Sequence, residues 1–177
     1  MKKKTRYVLL GLLQEEDLSG YELKQIIDKR MRFFWQESYG QIYPELKSLL
    51  VEGMIEEKQE ESGTKREKVR YHITDKGREE IYTWLLEENE KDTTRSEFLL
   101  KLYVSQKKDW ATMRKHIEIF MDQAKMQLEF FELYHAQLTS CIELHENHRQ
   151  IVDVLNLGIG QQRLYITWCE DLLKRES

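Results

Sequence analysis

The sequence has 177 residues, with 28 Lys and Arg against 32 Asp and Glu, for a formal net charge of −4. This balance argues against a protein that coats nucleic acid nonspecifically, and one proline with eight glycines favours helices over a β-sandwich or barrel. No apolar run approaches the roughly 18 to 20 residues that a membrane helix needs. The basic start Lys2 to Lys4 precedes an apolar segment, but acidic residues follow without a small-residue cleavage site. We therefore do not expect a secretory signal peptide.

Three short helices are predicted in the first fifty residues. The first runs from Thr5 to Gln14. The second begins at Ser19, because Ser19 and Glu22 fit a capping box, and it continues through Ile27. The apolar residues of the first helix that we expect to be buried are Val8, Leu9, Leu12 and Leu13.

The third helix, between Ser38 and Gly53, carries both a core stripe and a polar face. Ser38 and Gln41 fit a second capping box, and Gly53 supplies a stop. Pro44 lies past the first turn, which predicts a kinked helix or a late start. The predicted core stripe is Ile42, Leu46, Leu49 and Leu50, and the outward face is Gly40, Gln41, Pro44, Lys47 and Ser48, flanked by Tyr39 and Tyr43.

The outward face of the third helix can read DNA. Gln41 can bond a base edge, while Lys47 and the two tyrosines can reach phosphates. An ordinary surface helix shows the same pattern, so the face alone leaves both interpretations open.

Two strands are predicted next, Ile55 to Gln59 and Val69 to Ile73, because apolar and polar residues alternate in the second. The loop between them carries Lys65, Arg66 and Lys68. Such a hairpin fits the wing of a winged helix-turn-helix, whose cations lie along phosphates or in a minor groove. A solvated hairpin is the alternative that a charge run also allows.

Several segments, in this order and spacing, resemble the PadR family of bacterial transcriptional regulators. The resemblance covers residues 5 to 86 closely, while the length and Trp168 suggest the family's longer class, with a helical second domain. It implies DNA binding and a homodimer. The wing tip, Ser62 to Arg66, departs from the Gly-Arg-Pro-like tip of many members. The matching segments are Leu9-Leu10-Gly11-Leu12-Leu13, Leu18-Ser19-Gly20-Tyr21-Glu22-Leu23, Phe34-Trp35, Gly40-Gln41-Ile42-Tyr43-Pro44-Glu45-Leu46-Lys47, Glu52-Gly53 and Tyr71-His72-Ile73-Thr74-Asp75-Lys76-Gly77.

The second half of the chain predicts a helical dimerisation domain. A polar joint, Glu87 to Arg95, separates a DNA-binding domain of residues 1–90 from residues 91–177. Before the joint, a helix over residues 74–86 is expected to bury Ile81, Trp84 and Leu85; after it, a short helix surrounds Phe98 to Tyr103.

Two long helices are expected in this half. Apolar positions from Trp110 to Ile142 follow a coiled-coil seam. The last helix, about His148 to Lys174, is apolar on two sides, which is typical of a helix buried between layers. Two long helices cannot cover both sides, so we expect the second layer to be another subunit. The two stripes are Ile151, Leu155, Ile159, Ile166, Cys169 and Leu173, and Val154, Leu157, Leu164, Trp168 and Leu172.

We expect no catalytic residue, metal or cofactor. Glu132 and His135 have the Glu-x-x-His spacing of a di-iron carboxylate bundle, but the sequence has no second copy. Cys141 and Cys169 stand alone, which favours buried thiols in a reducing cytoplasm over a disulfide.

The sequence thus predicts a mainly α protein with a small β wing, a cytoplasmic, homodimeric regulator and not an enzyme. We expect a repressor of a palindromic operator in double-stranded DNA. An activator with the same DNA face and a protein-binding winged helix remain alternatives. A small aromatic or apolar effector would release the DNA, with Trp110 and Trp168 as candidate pocket residues. The candidate DNA-binding residues are Ser38, Tyr39, Gln41, Tyr43, Lys47, Lys65, Arg66 and Lys68.

Overall fold

The computed structural model describes residues 4–59, 69–91, 95–140 and 146–175. The chain divides into two compact units, Met1–Glu90 and Lys91–Ser177. The predicted wing tip with Lys65, Arg66 and Lys68 lies outside the described residues, as does Cys141.

Helices and one antiparallel hairpin make up the described part of the first unit. A π-helical turn, Ile27–Met31, continues the second helix. The elements are α1 Thr5–Leu13, α2 Gly20–Ile26, α3 Tyr39–Val51, β1 Ile55–Gln59, β2 Val69–Ile73 and α4 Asp75–Leu85.

The predicted helix starts are confirmed. The backbone N–H of Ser19 donates to Glu22 Oε2 at 2.8 Å, and Ser19 Oγ accepts from the Glu22 backbone. Ser38 and Gln41 form the second capping box. At the start of α4, Thr74 Oγ1 accepts from the Gly77 backbone N–H at 3.3 Å. Each cap satisfies N–H groups that have no partner inside the helix, so the starts are set locally.

The core of the first unit lies between α1, α3 and the hairpin. Leu9, Leu12 and Leu13 are buried as predicted, whereas Val8 is half-buried. The expectation for α4 is only partly right: Ile81 is buried and Trp84 half-buried, but Leu85 is 67% exposed and that prediction is wrong. Helix periodicity placed Leu85 beside Ile81, but α4 ends at Leu85 and its last turn extends past the core.

The hairpin pairs from Ile55↔Ile73 to Gln59↔Val69, which confirms both predicted strands. Leu18, just before α2, adds a short bridge to the outer edge of β2: the Leu18 N–H donates to the Tyr71 carbonyl at 3.2 Å, and the Tyr71 N–H donates back at 2.9 Å. The base of the hairpin is therefore tied by backbone hydrogen bonds to the segment that leads into α2.

Gly77 marks the tightest contact between α4 and the hairpin. A Cβ at this position would lie 2.3 Å from the backbone oxygen of Met54, closer than any van der Waals contact allows. Only glycine lets α4 approach the chain this closely.

The second unit is built on two long helices. A short 3₁₀ segment, Lys107–Asp109, precedes the longer of them. The helices α6 and α7 pack along each other, and an ion pair joins them on the surface, with Arg163 Nη2 2.7 Å from Glu132 Oε1. The helices are α5 Glu97–Val104, α6 Trp110–Ser140 and α7 His148–Arg175.

The core of the second unit follows the predicted seam of α6. Met113, Ile117, Ala124 and Phe131 are its buried members, which confirms this face. On α7, Leu155, Ile159 and Cys169 of the first stripe are buried. Burial, aided by Glu170, raises the pKa of the Cys169 thiol.

The second stripe of α7 is only partly covered within one chain. Trp168 and Leu172 are half-buried, whereas Leu157 is 71% exposed and Leu164 is 65% exposed. On α6, large apolar side chains outside the seam are exposed as well: Ile119, Met126 and Leu133. This exposure agrees with the expectation that two long helices of one chain do not cover both sides of α7, and cover by another subunit stays a prediction.

None of the helices in the described part of the chain is long and apolar enough to cross a membrane.

Candidate nucleic-acid interface

Helix α3 turns one side to the core and leaves the other free. Ile42, Leu46 and Leu49 are fully buried. Of the two predicted consequences of Pro44, a kink or a late start, the late start does not occur: α3 begins at Tyr39 and passes through Pro44. Gly40, one turn before Pro44, is exposed, so its carbonyl, which Pro44 cannot bond, is open to water. The exposed residues of α3 are Tyr39, Gly40, Gln41, Tyr43, Pro44, Lys47 and Val51.

The two tyrosines of α3 are held in place by α2. Their rings stack with centroids 6.0 Å apart, and each side chain is a little under half exposed. The Lys24 ammonium lies 5.7 Å from the centroid of the Tyr39 ring, while Lys24 also pairs with Asp28. At Gly20, a Cβ would lie 2.7 Å from Tyr43 Cε1, so Tyr43 packs directly over the α2 backbone.

Nothing in the sequence shows that Lys24 and Gly20 are neighbours of these tyrosines. Gly20 belongs to a segment that resembles the family, and a glycine at the first position of a helix indicates a close approach without showing which residue approaches. Tertiary packing supplies the partner.

The side-chain amide of Gln41 takes part in the N-terminal cap of α3, and this limits the base contacts predicted for it. Its Oε1 accepts from the Ser38 backbone N–H at 2.9 Å and lies 2.8 Å from Ser38 Oγ. The carbonyl end of the amide is thus engaged in the cap, and the Nε2 group is left to donate. A bidentate pairing with adenine needs both ends, so the capped conformation favours bases that offer acceptors.

Lys47 is an exposed cation on the outward face. It has no ion pair with any residue that the structure describes. A cation without a partner inside the protein is available to a phosphate.

Arg6 and Arg70 form ion pairs inside the protein. Arg6 is bound to carboxylates of α3 and α4, as detailed below, and Arg70 Nη2 lies 3.0 Å from Glu22 Oε1. Burial alone would raise the pKa of Glu22, but the Ser19 backbone and hydroxyl and the Arg70 guanidinium outweigh it and lower this pKa to about 2. Glu22 is therefore a carboxylate throughout the physiological range.

Arg6 of α1 contacts Glu45 of α3 and Glu52, the residue that caps the C-terminal end of α3. Arg6 Nε lies 3.2 Å from Glu45 Oε1, and Arg6 Nη2 lies 2.7 Å from Glu52 Oε1. The Ser48 hydroxyl donates to the same oxygen of Glu52 at 2.8 Å. The hydrogen bond from the Ser48 hydroxyl lowers the pKa of Glu52, and so does the Arg6 guanidinium, while burial opposes both. A third carboxylate, Glu80 of α4, has its Oε1 3.6 Å from Arg6 Nη1.

Asp17 binds side chains of both strands of the hairpin. Its Oδ1 lies 2.5 Å from His72 Nδ1, and its Oδ2 lies 3.0 Å from Lys58 Nζ. These partners lower the pKa of Asp17 although burial opposes them. One carboxylate thus contacts both strands.

An aromatic cluster lies in the second unit. Phe98 of α5 stacks on Phe120 of α6 with centroids 4.6 Å apart, and meets Trp168 of α7 edge to face at 6.1 Å. Tyr165 lies 5.2 Å from Phe120. Trp110 starts α6, ten residues or about 15 Å along the axis from Phe120, so of the two candidate tryptophans Trp168 is the one in this cluster.

The described residues contain no group of three or more His, Cys, Asp or Glu that could hold a metal ion. Glu132, from the tested Glu-x-x-His pair, is bound to Arg163.

Comparison with known sequences decides the family. Residues 9–83 match the transcriptional regulator PadR-like family, and residues 94–175 match the virulence activator alpha C-terminal family. The negative transcriptional regulator PadR of Bacillus subtilis strain 168 is 31% identical over 175 residues, which cover 95% of this chain and 94% of that protein. The chain belongs to the PadR-like family of transcriptional regulators.

Solved structures agree with this family over the whole chain. The crystal structure of B. subtilis PadR in complex with operator DNA is similar with a TM-score of 0.83 and 27% identity, over 99% of both chains. Another crystal structure of the same protein, in complex with p-coumaric acid, has a TM-score of 0.70 and 28% identity, over 98% of this chain and 99% of the other. The predicted architecture, a winged helix-turn-helix followed by a helical domain, is confirmed.

Proposed function

We propose that this regulator is a cytoplasmic repressor that binds a palindromic operator as a homodimer, with no catalytic step of its own. The observation that carries the proposal is the outward face of α3, where the cation Lys47 and two fixed tyrosines stand on a helix whose other side is buried. The similar PadR of B. subtilis is a negative regulator, and its structure with operator DNA supports this assignment.

In the DNA complex, α3 lies in the major groove. Tyr39 and Gln41 approach base edges, and Ser38 stays at the N-cap that positions Gln41. While the capping box holds, Gln41 Nε2 donates to an acceptor such as guanine N7 or O6 or thymine O4. The phosphate contacts come from Tyr43, Lys47 and the hairpin cations Lys65, Arg66 and Lys68.

The exposed stripe of α7 supports the homodimer. Leu157 and Leu164 are seven residues apart and share one side of the helix. Large apolar side chains exposed on one side of a long helix mark an interaction surface. A twofold axis through this surface pairs identical stripes. The two chains of the dimer then offer two α3 helices to a palindrome, whose half-sites lie about 34 Å apart on successive major grooves.

For the effector, we propose a small aromatic molecule bound at the cluster of Phe98, Phe120, Tyr165 and Trp168. A ligand ring can stack on, or meet edge to face, the aromatic side chains that already contact each other there. The structure of the similar PadR with p-coumaric acid supports a ligand of this class. The effector releases DNA if it binds better to the conformation in which α3 helices do not match two half-sites.

The test is binding of the purified protein to the DNA upstream of its own gene, compared with a scrambled duplex of the same composition across a salt series. We expect tight, steeply salt-dependent binding that prefers the upstream duplex, with two chains per site. Equal and weak binding to both duplexes would reject an autoregulated operator and favour a distant operator or a protein partner. Reporter expression in a deletion strain separates repressor from activator, since only loss of a repressor raises expression.

A further inference from the structure

Arg6 is the point at which α1, α3 and α4 meet through charge. Its guanidinium contacts Glu45 of α3, Glu52 at the C-cap of α3 and Glu80 of α4. Glu80 also accepts a hydrogen bond from the Tyr7 hydroxyl at 3.3 Å. The Arg6 side chain is only 21% exposed and Glu45 is 4% exposed as a residue. A buried carboxylate needs a partner, so this pairing constrains the structure more than a surface ion pair does.

The two contacts on α3 act on one side of that helix. Glu45 and Glu52 are seven residues apart, so at 3.6 residues per turn they lie along one line, about 10 Å apart parallel to the axis. Pro44 and Val51, on the outward face, each precede one of them and lie about 100° around the helix. A rotation of α3 that re-aims the outward face therefore breaks both contacts of Arg6.

Apolar packing alone does not fix this rotation as firmly. The apolar residues on the buried side of α3 are Ile42, Leu46 and Leu49, and contacts of this kind are not directional. The hydrogen bonds of a guanidinium are directional, because its donors form a rigid fork. On the opposite flank, Tyr39 and Tyr43 pack on α2. Contacts thus hold α3 on both sides of its outward face, and those of Arg6 are the directional ones.

We propose that Arg6 is a positioning residue for operator recognition: it sets the rotation and axial position of α3, and it does not itself bind phosphate. This role rests on the proposed function, since it matters for base reading only if α3 reads DNA. An error in the position of α3 misplaces every base contact, whereas phosphate contacts from long flexible cations adjust. Loss of the role therefore lowers discrimination between sequences more than it lowers binding in general.

The test compares Arg6→Lys with Arg30→Lys. Both substitutions keep the charge and remove the planar fork. Arg30 is a matched control because its side chain is similarly buried and it pairs at 3.1 Å with Glu15, a residue outside α3. We expect Arg6→Lys to lower operator affinity about 10-fold, as one misread base pair does, with scrambled-duplex affinity and salt slope unchanged. We expect Arg30→Lys to leave the operator-to-scrambled ratio at the parent value.

Two results would overturn the proposal. If Arg6→Gln lowers affinity for both duplexes equally and flattens the salt slope by about one per lost contact, Arg6 is a phosphate ligand. If Arg6→Lys lowers the melting temperature but keeps the parent's sequence preference, the ion pairs serve stability alone. Glu52→Gln, which leaves Glu45 paired, provides a milder second variant should Arg6→Lys fold poorly.

A readout without DNA separates this proposal from the proposed function. Amide hydrogen exchange of residues 42–52 should rise in Arg6→Lys and stay at the parent level in Arg30→Lys. Unchanged exchange there would reject the positioning role whatever the protein binds. If the parent protein shows no sequence preference for DNA but exchange still rises in Arg6→Lys, the two proposals separate. That result would reject DNA reading and leave Arg6 as the residue that fixes α3.

Discussion

The two units of the chain bury their apolar side chains in different ways. In the first unit, short helices and a hairpin surround one core, with Leu9, Leu23 and Ile42 fully buried. In the second unit, α6 and α7 cover one side of each other, and Leu157 and Leu164 face solvent. Both units contain amphipathic helices, but only the first places its helices around a centre.

This difference separates a unit that is complete by itself from one that needs a partner. The four helices α1 to α4 and a hairpin enclose a volume, whereas two long helices packed side by side share one line of contact and leave their outer sides open. The exposed face of the first unit, on α3, is mostly polar or aromatic, and its cation Lys47 has no ion pair among the described residues. The exposed face of the second unit, on α7, carries Val154, Leu157 and Leu164. The one suits DNA and the other a second copy of the chain.

Leu157→Glu on α7 tests whether the second unit needs a partner chain. If a twofold partner covers Leu157, two leucines lose about 1.5 kcal/mol or more each, and the dimer dissociation constant rises at least about 100-fold. Sedimentation velocity across protein concentration measures it. Asn156→Glu, on the neighbouring exposed position, is the control and should leave the dimer intact. A dimer unaffected by Leu157→Glu would place the interface elsewhere.

Gly77→Ala tests whether the close packing of α4 in the first unit stabilises that unit. Its Cβ would lie 2.3 Å from the Met54 carbonyl oxygen, so we expect a loss of about 2 to 3 kcal/mol in the free energy of unfolding. Hydrogen exchange of first-unit peptides in a urea series measures it separately from the second unit.

Gly11→Ala is the control for this glycine. Gly11 lies inside α1, and a Cβ added there would meet no atom within 4 Å from the packed neighbours that the structure describes. Alanine at this position should therefore stabilise the unit by about 0.5 to 1 kcal/mol. If Gly77→Ala were as stable as the parent, α4 would not be seated on the hairpin as described.

Lys47→Ala tests whether Lys47, on the outward face of α3, contacts a phosphate or a base. We expect roughly 10-fold weaker binding to operator and scrambled duplexes alike, and a salt slope reduced by about one for each subunit, because a phosphate contact carries no sequence information. Fluorescence anisotropy at several salt concentrations gives both quantities. Lys115→Ala, an exposed cation of α6, should change neither. Loss of sequence preference in Lys47→Ala would mean that Lys47 reads a base instead.

The smallest effect concerns pH and the hairpin. The pKa of Glu22 lies near 2 in the folded chain against an ordinary 4.5. A depressed carboxyl pKa gives stability that is fully present above pH 4.5 and is lost as the pH falls towards 2. The urea midpoint of the parent should therefore decrease through this window more than that of Glu22→Gln, whose amide oxygen can still accept from Ser19. Equal slopes for the two proteins would contradict the assignment.

Local features were predictable because their partners are close in sequence. The box of Ser19 and Glu22 and the cap of Thr74 depend on residues three positions apart, and the hairpin strands on a period of two. These features placed α2, α4 and the hairpin correctly. Contacts between distant residues were not predictable: Arg6 and Glu45 are 39 positions apart, and nothing in the sequence shows that this arginine pairs inside the protein.

The order of the elements, the apolar stripes and the family follow from the sequence alone, because helix periods, caps and motif spacings are properties of neighbouring residues. Which side chains remain available to a partner follows from tertiary packing. Among the cations, Arg6 and Arg70 are paired, and Lys47 is not paired with any residue in the described ranges. On α7, helix α6 covers one stripe, whereas Leu157 and Leu164 of the other stripe are exposed. Availability depends on what packs against a group, and that is settled when separate parts of the chain meet in space.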